Sequence, residues 1–599
     1  MVQMILPSSL NMKGSNSSRI TKWRIDAFLC SVFLLFCIVA VHPGVEIGMI
    51  DDFSYFKSAQ VLASTGHIVY NGWAAAMLGW QLYIGAFFIK LFGNSYTAVR
   101  ASTTIIALVM VFLVQRIYVR LGINSWNASM GTLTLVACPL FMPLSVSFLS
   151  DIDGLFCIVL CLYACLRALQ APTNRSTLGW LVFAAVTGAV GGTVRQSSWV
   201  GVLVIFPCTV WLLRRRPHVL LLGGVLYAGS LAFVAASMNW FLRQPYVIVD
   251  GLPTRLRPGI VIHALSQSFG TIFTLIMFLL PILAAFALAL FLSRSRTYRW
   301  LALGGIGLGI GIAEVATKYQ VDHLLVPFLA GYISKYGPAA SAPLLGESPV
   351  ILDQGTRVVV SAGIYGLLFC FLIWLHLVFG RSPEFATDVR EVYLEPRSLP
   401  WPSLLILIVP VTLSYFALLI PIAMAHAIFD RYVFPLSFFA IPILLRLYQE
   451  RAGARLPAAC YVVILLFAAY SIATTHDTFS VYRARLAAIN EMEAAGVPAT
   501  SIYAGFDFDG MTQIEEAGYM NDERIRVPRT AFHPDVKSPP AGCKSMMMLD
   551  KTPAVHPEYA LSFDPDACGG SSTFPAVTYS NWLGPRTVNI YIVRTSKPS

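Results

Sequence analysis

Two acids stand side by side directly after the first apolar stretch, in Gly48-Met49-Ile50-Asp51-Asp52-Phe53-Ser54-Tyr55-Phe56. A carboxylate can take a proton from a hydroxyl, and a second one beside it can position a substrate or support a cation. The plain alternative is a pair of solvated loop acids. Ionisable groups around a polar cavity in a membrane, by contrast, are functional candidates. Other rare charges mark the ends of later apolar stretches. They are Asp151 and Asp153 in Ser150-Asp151-Ile152-Asp153-Gly154, Arg195 in Thr193-Val194-Arg195-Gln196, Lys318, Asp322 with His323, and Asp430-Arg431-Tyr432. A guanidinium forks onto phosphate oxygens and keeps its charge, so Arg195 and Arg431 suit an anionic group. Lys57 and Lys318 suit one less well, because an interfacial lysine commonly snorkels to water. Each residue has a structural alternative. Asp151 and Asp153 fit a helix start as caps, and Asp430 and Arg431 could neutralise one another. His42, His67, His323 and His426 leave a His–carboxylate site for a divalent metal open, without a diagnostic spacing.

What must position these residues is a membrane bundle. Of 599 residues, 56% are hydrophobic and only 12% charged, with mean hydropathy +0.67, which implies a polytopic membrane protein. The net charge of +11 is uneven: +14 over residues 1–476 and −3 over 477–599. The basic excess therefore lies in the membrane part, where orientation signals explain it without nucleic acid.

Apolar length predicts about thirteen spans: 26–41, 98–118, 126–148, 152–169, 177–193, 197–213, 218–241, 266–292, 300–316, 357–379, 401–424, 432–448 and 457–475. Lys13, Arg19, Lys22 and Arg24 precede the first, which predicts a cytosolic N-terminus and an outward-facing Asp pair. On that layout 20 basic residues fall on the cytosolic side, including Arg381, Arg390 and Arg397, against 11 in the outer loops before the tail. All the rare charges named above then fall at outer ends. In the first outer loop, about residues 42–97, Tyr55–Leu62 and Leu78–Phe92 read as short interfacial helices, with Trp73, Trp80, Tyr83 and Tyr96 suited to that depth. The first apolar run lacks a small-residue cleavage site and reads as an anchor.

Residues 477–599 are polar and Pro-rich, and predict a small extracytoplasmic α/β domain. Arg483–Ala495 reads as a helix, Ser501–Gly505 as a strand, and Val588–Val593 alternates as a strand does. The segment Pro528–Pro565 reads as irregular. Cys543 and Cys568 could pair outside the cytosol. The run Gly304, Gly305, Gly307, Gly309 and Gly311 lies within an apolar span, which makes it a packing feature and not a nucleotide loop.

Four stretches resemble the GT-C superfamily of membrane glycosyltransferases, in its branch of bacterial relatives of protein O-mannosyltransferases and of the lipid A aminoarabinose transferase. They are Asp51-Asp52-Phe53-Ser54-Tyr55 with Ala59, Leu62 and Gly66; Lys90–Ser95 with Arg100; Ser150–Asp153 with Thr193–Gln196; and Asp430-Arg431-Tyr432-Val433-Phe434-Pro435. The resemblance covers roughly residues 25–450 and is weakest between 240 and 425. The chain departs from the pattern at Asp52, where the family usually has Glu, at Ala74–Leu78, where a Pro-rich turn is common, and at Gly154, where Pro is frequent.

The resemblance implies a GT-C fold and a polyprenyl-phosphate-linked sugar donor, with a lipid, glycan or protein as acceptor. It implies residence in the bacterial inner (plasma) membrane, among membrane lipids. Asp51 then becomes the expected base and Asp52 a positioning or metal-supporting acid. Arg195 and Arg431, with Lys57 and Lys318 behind them, become the phosphate partners. Tyr55, Asp151, Asp153, Gln196, Asp430 and Tyr432 would position acceptor or sugar. No cofactor is implied beyond a possible divalent metal. A polytopic transporter or lipid flippase with an outward polar cavity is the competing class, and only Glu314, inside a span, leans towards it. An inactive scaffold that binds glycolipid or protein through its tail is a third.

Overall fold

Apolar helices make most of the molecule. The computed structural model describes residues 13–249, 251, 257–337, 344–380, 399–534, 538–540, 542–543, 546–569 and 574–595, with side chains from residue 25 onward. Among these, eight helices are long and apolar enough to cross a membrane. They are Tyr96–Arg120, Ser150–Leu169, Pro217–Phe241, Pro258–Phe278, Arg296–Lys318, Gln354–Phe379, Trp401–Ala425 and Cys460–Ala494. Shorter apolar helices cover Ile25–Val41, Gln196–Leu212 and Leu280–Phe291. Lipid-facing sides stay apolar: Leu221, Val225 and Phe233 project from the Pro217–Phe241 helix. Arg381, Arg390 and Arg397 lie outside the described residues, as do the side chains of Lys13, Arg19, Lys22 and Arg24.

All thirteen expected segments contain helix, but three are interrupted. The 126–148 segment stops at Ala137, because Cys138 is extended before Pro139, and resumes at Phe141–Ser145. The 266–292 segment divides at Leu279, just ahead of Leu280-Pro281. The 197–213 segment begins as a tight 3-10 turn at Gln196–Trp199, widens through a π turn at Gly201–Ile205, and settles into helix only at Phe206–Leu212. The glycine run is a packing seam, since a Cβ on Gly309 would collide with the backbone of Gly366 on the facing Gln354–Phe379 helix.

The first loop carries the helices Asp52–Thr65 and Gly79–Phe92. Beyond the bundle a four-stranded sheet forms from β1 (Ile502–Tyr503), β2 (Tyr559–Ser562), β3 (Val577–Ser580) and β4 (Thr587–Arg594), in the order β1-β2-β4-β3. β1 and β2 run parallel, and the other two pairings are antiparallel. The Phe506–Ala517 helix follows β1, and Cys543 and Cys568 are joined by a disulfide. Two expectations need correcting. Pro528–Pro565, read as irregular, contains β2 at Tyr559–Ser562. The break predicted near residue 476, between a span and a separate helix at Arg483–Ala495, does not exist. Cys460–Ala494 is a single helix of 35 residues. The threonine hydroxyls of its polar stretch are not stranded, since Thr474, Thr475 and Thr478 donate to carbonyls one turn earlier.

Candidate functional site

The acid pair is delivered by a tight turn. Ile50 adopts a left-handed φ of 57°, and the Asp52 carboxylate accepts the Met49 N–H at 2.6 Å. The two acids then part. Asp52 is fully buried and takes the Arg100 Nε–H at 2.9 Å, while Arg100 also donates to the carbonyls of Val45 at 2.9 Å and Ile47 at 2.7 Å. Burial pushes the Asp52 carboxyl above its usual range, and Arg100 pulls the other way. Asp52 is thus an anchor between the turn and the Tyr96–Arg120 helix. The expectation that it positions an acceptor or supports a metal is corrected, since its oxygens are enclosed and engaged.

Asp51 remains partly open. One carboxylate oxygen accepts the Trp73 indole N–H at 2.9 Å and the other accepts Arg431 Nη2 at 2.8 Å, from 380 residues further along the chain. A carboxylate has about four acceptor positions, so an incoming hydroxyl can still bond to it. Burial works against the Arg431 charge, but Asp51 and Asp151 outweigh it and strengthen its hold on the proton.

A second pair lies beside the first. Asp151, in the first turn of Ser150–Leu169, accepts from Arg195. Gly154 makes room for it, because a Cβ there would lie 2.6 Å from Ser198 Oγ and 3.5 Å from the Arg195 stem. Both guanidiniums lie near the Tyr432 ring, with Arg195 at 4.5 Å and Arg431 at 5.6 Å from its centroid. Two cations, two anions and an aromatic ring therefore come from four distant segments. Tyr55 is buried at the same place, where its hydroxyl senses Asp51, Arg431, Asp151 and Arg195, although burial is the main reason its proton is held more tightly.

Beside Asp151, Arg195 and Arg431 is a small cavity of ≈ 10 Å³, about one water in size. Asp151, Arg195, Arg431, Ser197 and Tyr415 line it together with Leu155, Ile158 and Phe434. Charged and apolar side chains thus meet around one point. Each arginine spends only part of its fork on a carboxylate, and Arg431 Nε is buried without a partner among the described residues.

Other expected residues have different roles. Asp430 does not neutralise Arg431. It is buried and accepts the backbone N–H groups of Tyr332, Ile333 and Arg431 at 3.1, 2.6 and 2.7 Å, which fixes the 330–333 loop. Burial pushes its carboxyl up to about 7. Asp153 is buried against Thr103, and neither it nor Asp151 is the cap of its helix, which is Leu149. Gln196 donates to the Ala75 carbonyl and ties the first loop down. Lys57 pairs with Glu515 at 3.2 Å, and Lys318 is exposed near Tyr319, so neither joins the arginines. Glu314 faces outward from the bundle and does not line the cavity.

No three His, Cys, Asp or Glu side chains gather as a metal site among the described residues. The acids here already serve guanidiniums and an indole, so this donor set does not fit a divalent cation. Sequence reasoning missed three contributors. Trp73 reads as an interfacial aromatic, yet it holds Asp51. Arg100 belongs to a recognised stretch without an assigned role. Tyr332, whose buried hydroxyl has no partner among the described residues, lies in the 330–333 loop, which carries no motif.

Comparison with known proteins gives a partial match. Residues 80–241 match the family model described as dolichyl-phosphate-mannose-protein mannosyltransferase. That segment contains Asp151, Asp153, Arg195 and Gln196, and it ends where the sequence resemblance weakens. No curated protein matches the chain significantly. Among solved structures the chain is similar to ArnT from Cupriavidus metallidurans bound to undecaprenyl phosphate, at 14% identity and TM-score 0.37, over 94% of this chain and 97% of that one. It is also similar to the Archaeoglobus fulgidus oligosaccharyltransferase in complex with Zn and sulfate, at 12% identity and TM-score 0.39, over 89% and 68%. The S. cerevisiae protein O-mannosyltransferase Pmt1-Pmt2 complex bound to the sugar donor is similar at 14% identity and TM-score 0.31, over 38% and 35%.

Proposed function

We propose that this chain is a GT-C-type membrane glycosyltransferase that moves a sugar from a polyprenyl-phosphate-linked donor to an acceptor hydroxyl. The observation that carries the reading is the meeting of Asp51 with Arg431 beside the Asp151–Arg195 pair, whose arginines line a small cavity shared with apolar side chains. The family-model match over residues 80–241 supports a lipid-phosphate donor. In this reading Asp51 takes the proton from the acceptor hydroxyl while the acceptor oxygen bonds to the anomeric carbon. The bond from that carbon to the phosphate oxygen breaks, and its electron pair leaves on the phosphate, where Arg431 and Arg195 stabilise it. Polyprenyl phosphate and the glycosylated acceptor result, and Asp51 returns its proton to water. The reading places the site on the outer face of the plasma membrane, with the N-terminus cytosolic and residues 477–599 extracytoplasmic, and the positive-inside bias supports it.

The test uses purified full-length protein with radiolabelled polyprenyl-phosphate sugars, scoring both donor binding and label transfer. Arg431→Lys and Arg195→Lys keep the charge but lose the fork, so donor affinity should fall ~10- to ~100-fold. Unchanged donor affinity in both would remove the arginines from the site.

A further inference from the structure

Asp51 is not held by its own turn alone. Trp73, which donates to it, packs its ring at 4.5 Å between centroids against Phe506, the first residue of the Phe506–Ala517 helix beyond the bundle. Phe53, two residues after Asp51, meets Phe506 edge-on at 5.5 Å and Trp73 at 6.4 Å. Three aromatic rings, two from the first loop and one from the C-terminal domain, thus share one cluster. Offset and edge-on contacts of this kind prefer particular geometries and so fix ring orientation.

The backbone around Trp73 is clamped from the same side. Met520 N–H donates to the Asn71 carbonyl at 2.8 Å, and Gly72 N–H donates to the Tyr246 carbonyl at 2.9 Å. Tyr246 in turn donates to Val527 at 2.7 Å. Gly72 has a φ of +79°, and a Cβ there would lie 2.8 Å from Ile525 and 2.9 Å from the Met520 carbonyl. Phe506 is itself anchored. Arg485, buried on the Cys460–Ala494 helix, donates to both Asp507 oxygens and to the Ala504 carbonyl. Asp509 takes the Ala504 N–H at 3.0 Å. The chain of contacts therefore runs from a bundle helix through Arg485 and Phe506 to Trp73 and the Asp51 carboxylate.

We propose that Phe506 of the C-terminal domain is a positioning residue for the transfer site, acting by setting the Trp73 indole that holds Asp51. This rests on the reading of Asp51 as the base. Without the Phe506 ring the indole gains rotamers in which its N–H points away from Asp51, and the carboxylate follows only Arg431. Misplacement of a reacting group by about 1 Å can cost ~10²-fold in rate. Substrate binding is assigned to other side chains and should be spared.

The experiment uses the full chain in lipid nanodiscs, with steady-state transfer from radiolabelled polyprenyl-phosphate hexose and ¹⁹F spectra after 5-fluorotryptophan labelling. Trp73→Phe identifies the Trp73 resonance among the twelve tryptophans. Phe506→Ala should lower kcat ~10- to ~10²-fold, leave KM within about 2-fold and move the Trp73 resonance. Phe506→Tyr should restore both, and Phe506→Leu serves as the milder variant should Phe506→Ala fold poorly. In a Trp73→Phe background, Phe506→Ala should cost nothing further. Equal losses with and without Trp73, or an unmoved Trp73 resonance in the Ala and Leu variants, overturns the proposal. Wild-type turnover in Asp51→Asn with a moved Trp73 resonance in Phe506→Ala defeats the base assignment instead. The two failures are distinguishable.

Discussion

Asp51→Asn should change rate and donor affinity in opposite directions. The substitution keeps size, and the amide oxygen can still accept from Trp73, but the amide NH₂ faces the Arg431 guanidinium, donor against donor. Without a proton acceptor, turnover should fall by ~10²- to ~10⁴-fold. The Asp51–Arg431 contact at 2.8 Å meanwhile disappears, and a donor phosphate no longer competes with a carboxylate for that fork. A charged hydrogen bond contributes ~1.5–3 kcal/mol net, so donor Kd should tighten by up to ~10- to ~150-fold. Both side chains keep some contact with solvent, so the unpaired arginine should cost the apo protein only about 1–3 kcal/mol. Adding donor should recover much of that. The assays are single-turnover label transfer, equilibrium binding of the labelled donor, and thermal unfolding with and without it. Donor affinity that falls in parallel with turnover would refute the reasoning, because Asp51 would then be a donor-binding group. Unchanged turnover would leave the acid as a loop residue.

Arg100→Leu strands the Asp52 carboxylate in the core and should destabilise the protein by ~3–5 kcal/mol in thermal unfolding, with part recovered in the double variant Asp52→Asn/Arg100→Leu. Glu46 offers a pH test at the start of the Tyr96–Arg120 helix. Burial tends to raise its carboxyl, but bonds from Thr97, Ser95 and Tyr96 hold it below the usual range. With the folded value depressed, its stabilisation is present above about pH 4.5 and is lost as pH falls through the lowered value. Wild type should therefore lose melting temperature on acidification over that window more steeply than Glu46→Gln; parallel curves would refute the assignment.

The sequence displays the chemistry better than the supports of that chemistry. Asp51, Arg195 and Arg431 are legible because charge is scarce in an apolar chain and stands out wherever it falls. The separation of roles within the acid pair is not legible. Adjacent residues look alike in sequence, and Asp52 is held inward by the Met49 N–H and by Arg100, 48 residues on. Trp73 is ambiguous for a related reason, since an indole at the interface is ordinary and its partners come from residues 51 and 506. Helix interruptions follow local rules at Cys138-Pro139, whereas the continuous Cys460–Ala494 helix hides behind Thr474-Thr475-His476-Asp477, which reads as a boundary. There the polar groups find partners both near and far. The threonines bond back along the helix and Asp477 accepts the N–H groups of Trp582 and Leu583.

That uninterrupted helix has a mechanical meaning. At 1.5 Å per residue its 35 residues extend about 52 Å, roughly 20 Å more than the hydrocarbon thickness of a bilayer. The C-terminal domain thus rides on a stiff mast with a fixed azimuth, not on a tether. One residue inserted near His476 would lift the domain by only about 1.5 Å but turn it by about 100°, swinging Phe506 off the face that meets Trp73. Seven inserted residues would nearly restore the heading and leave the domain about 10 Å too high. Length and phase along this one helix are therefore coupled, and a drift in either would disengage the domain from the acid turn even with every site residue retained.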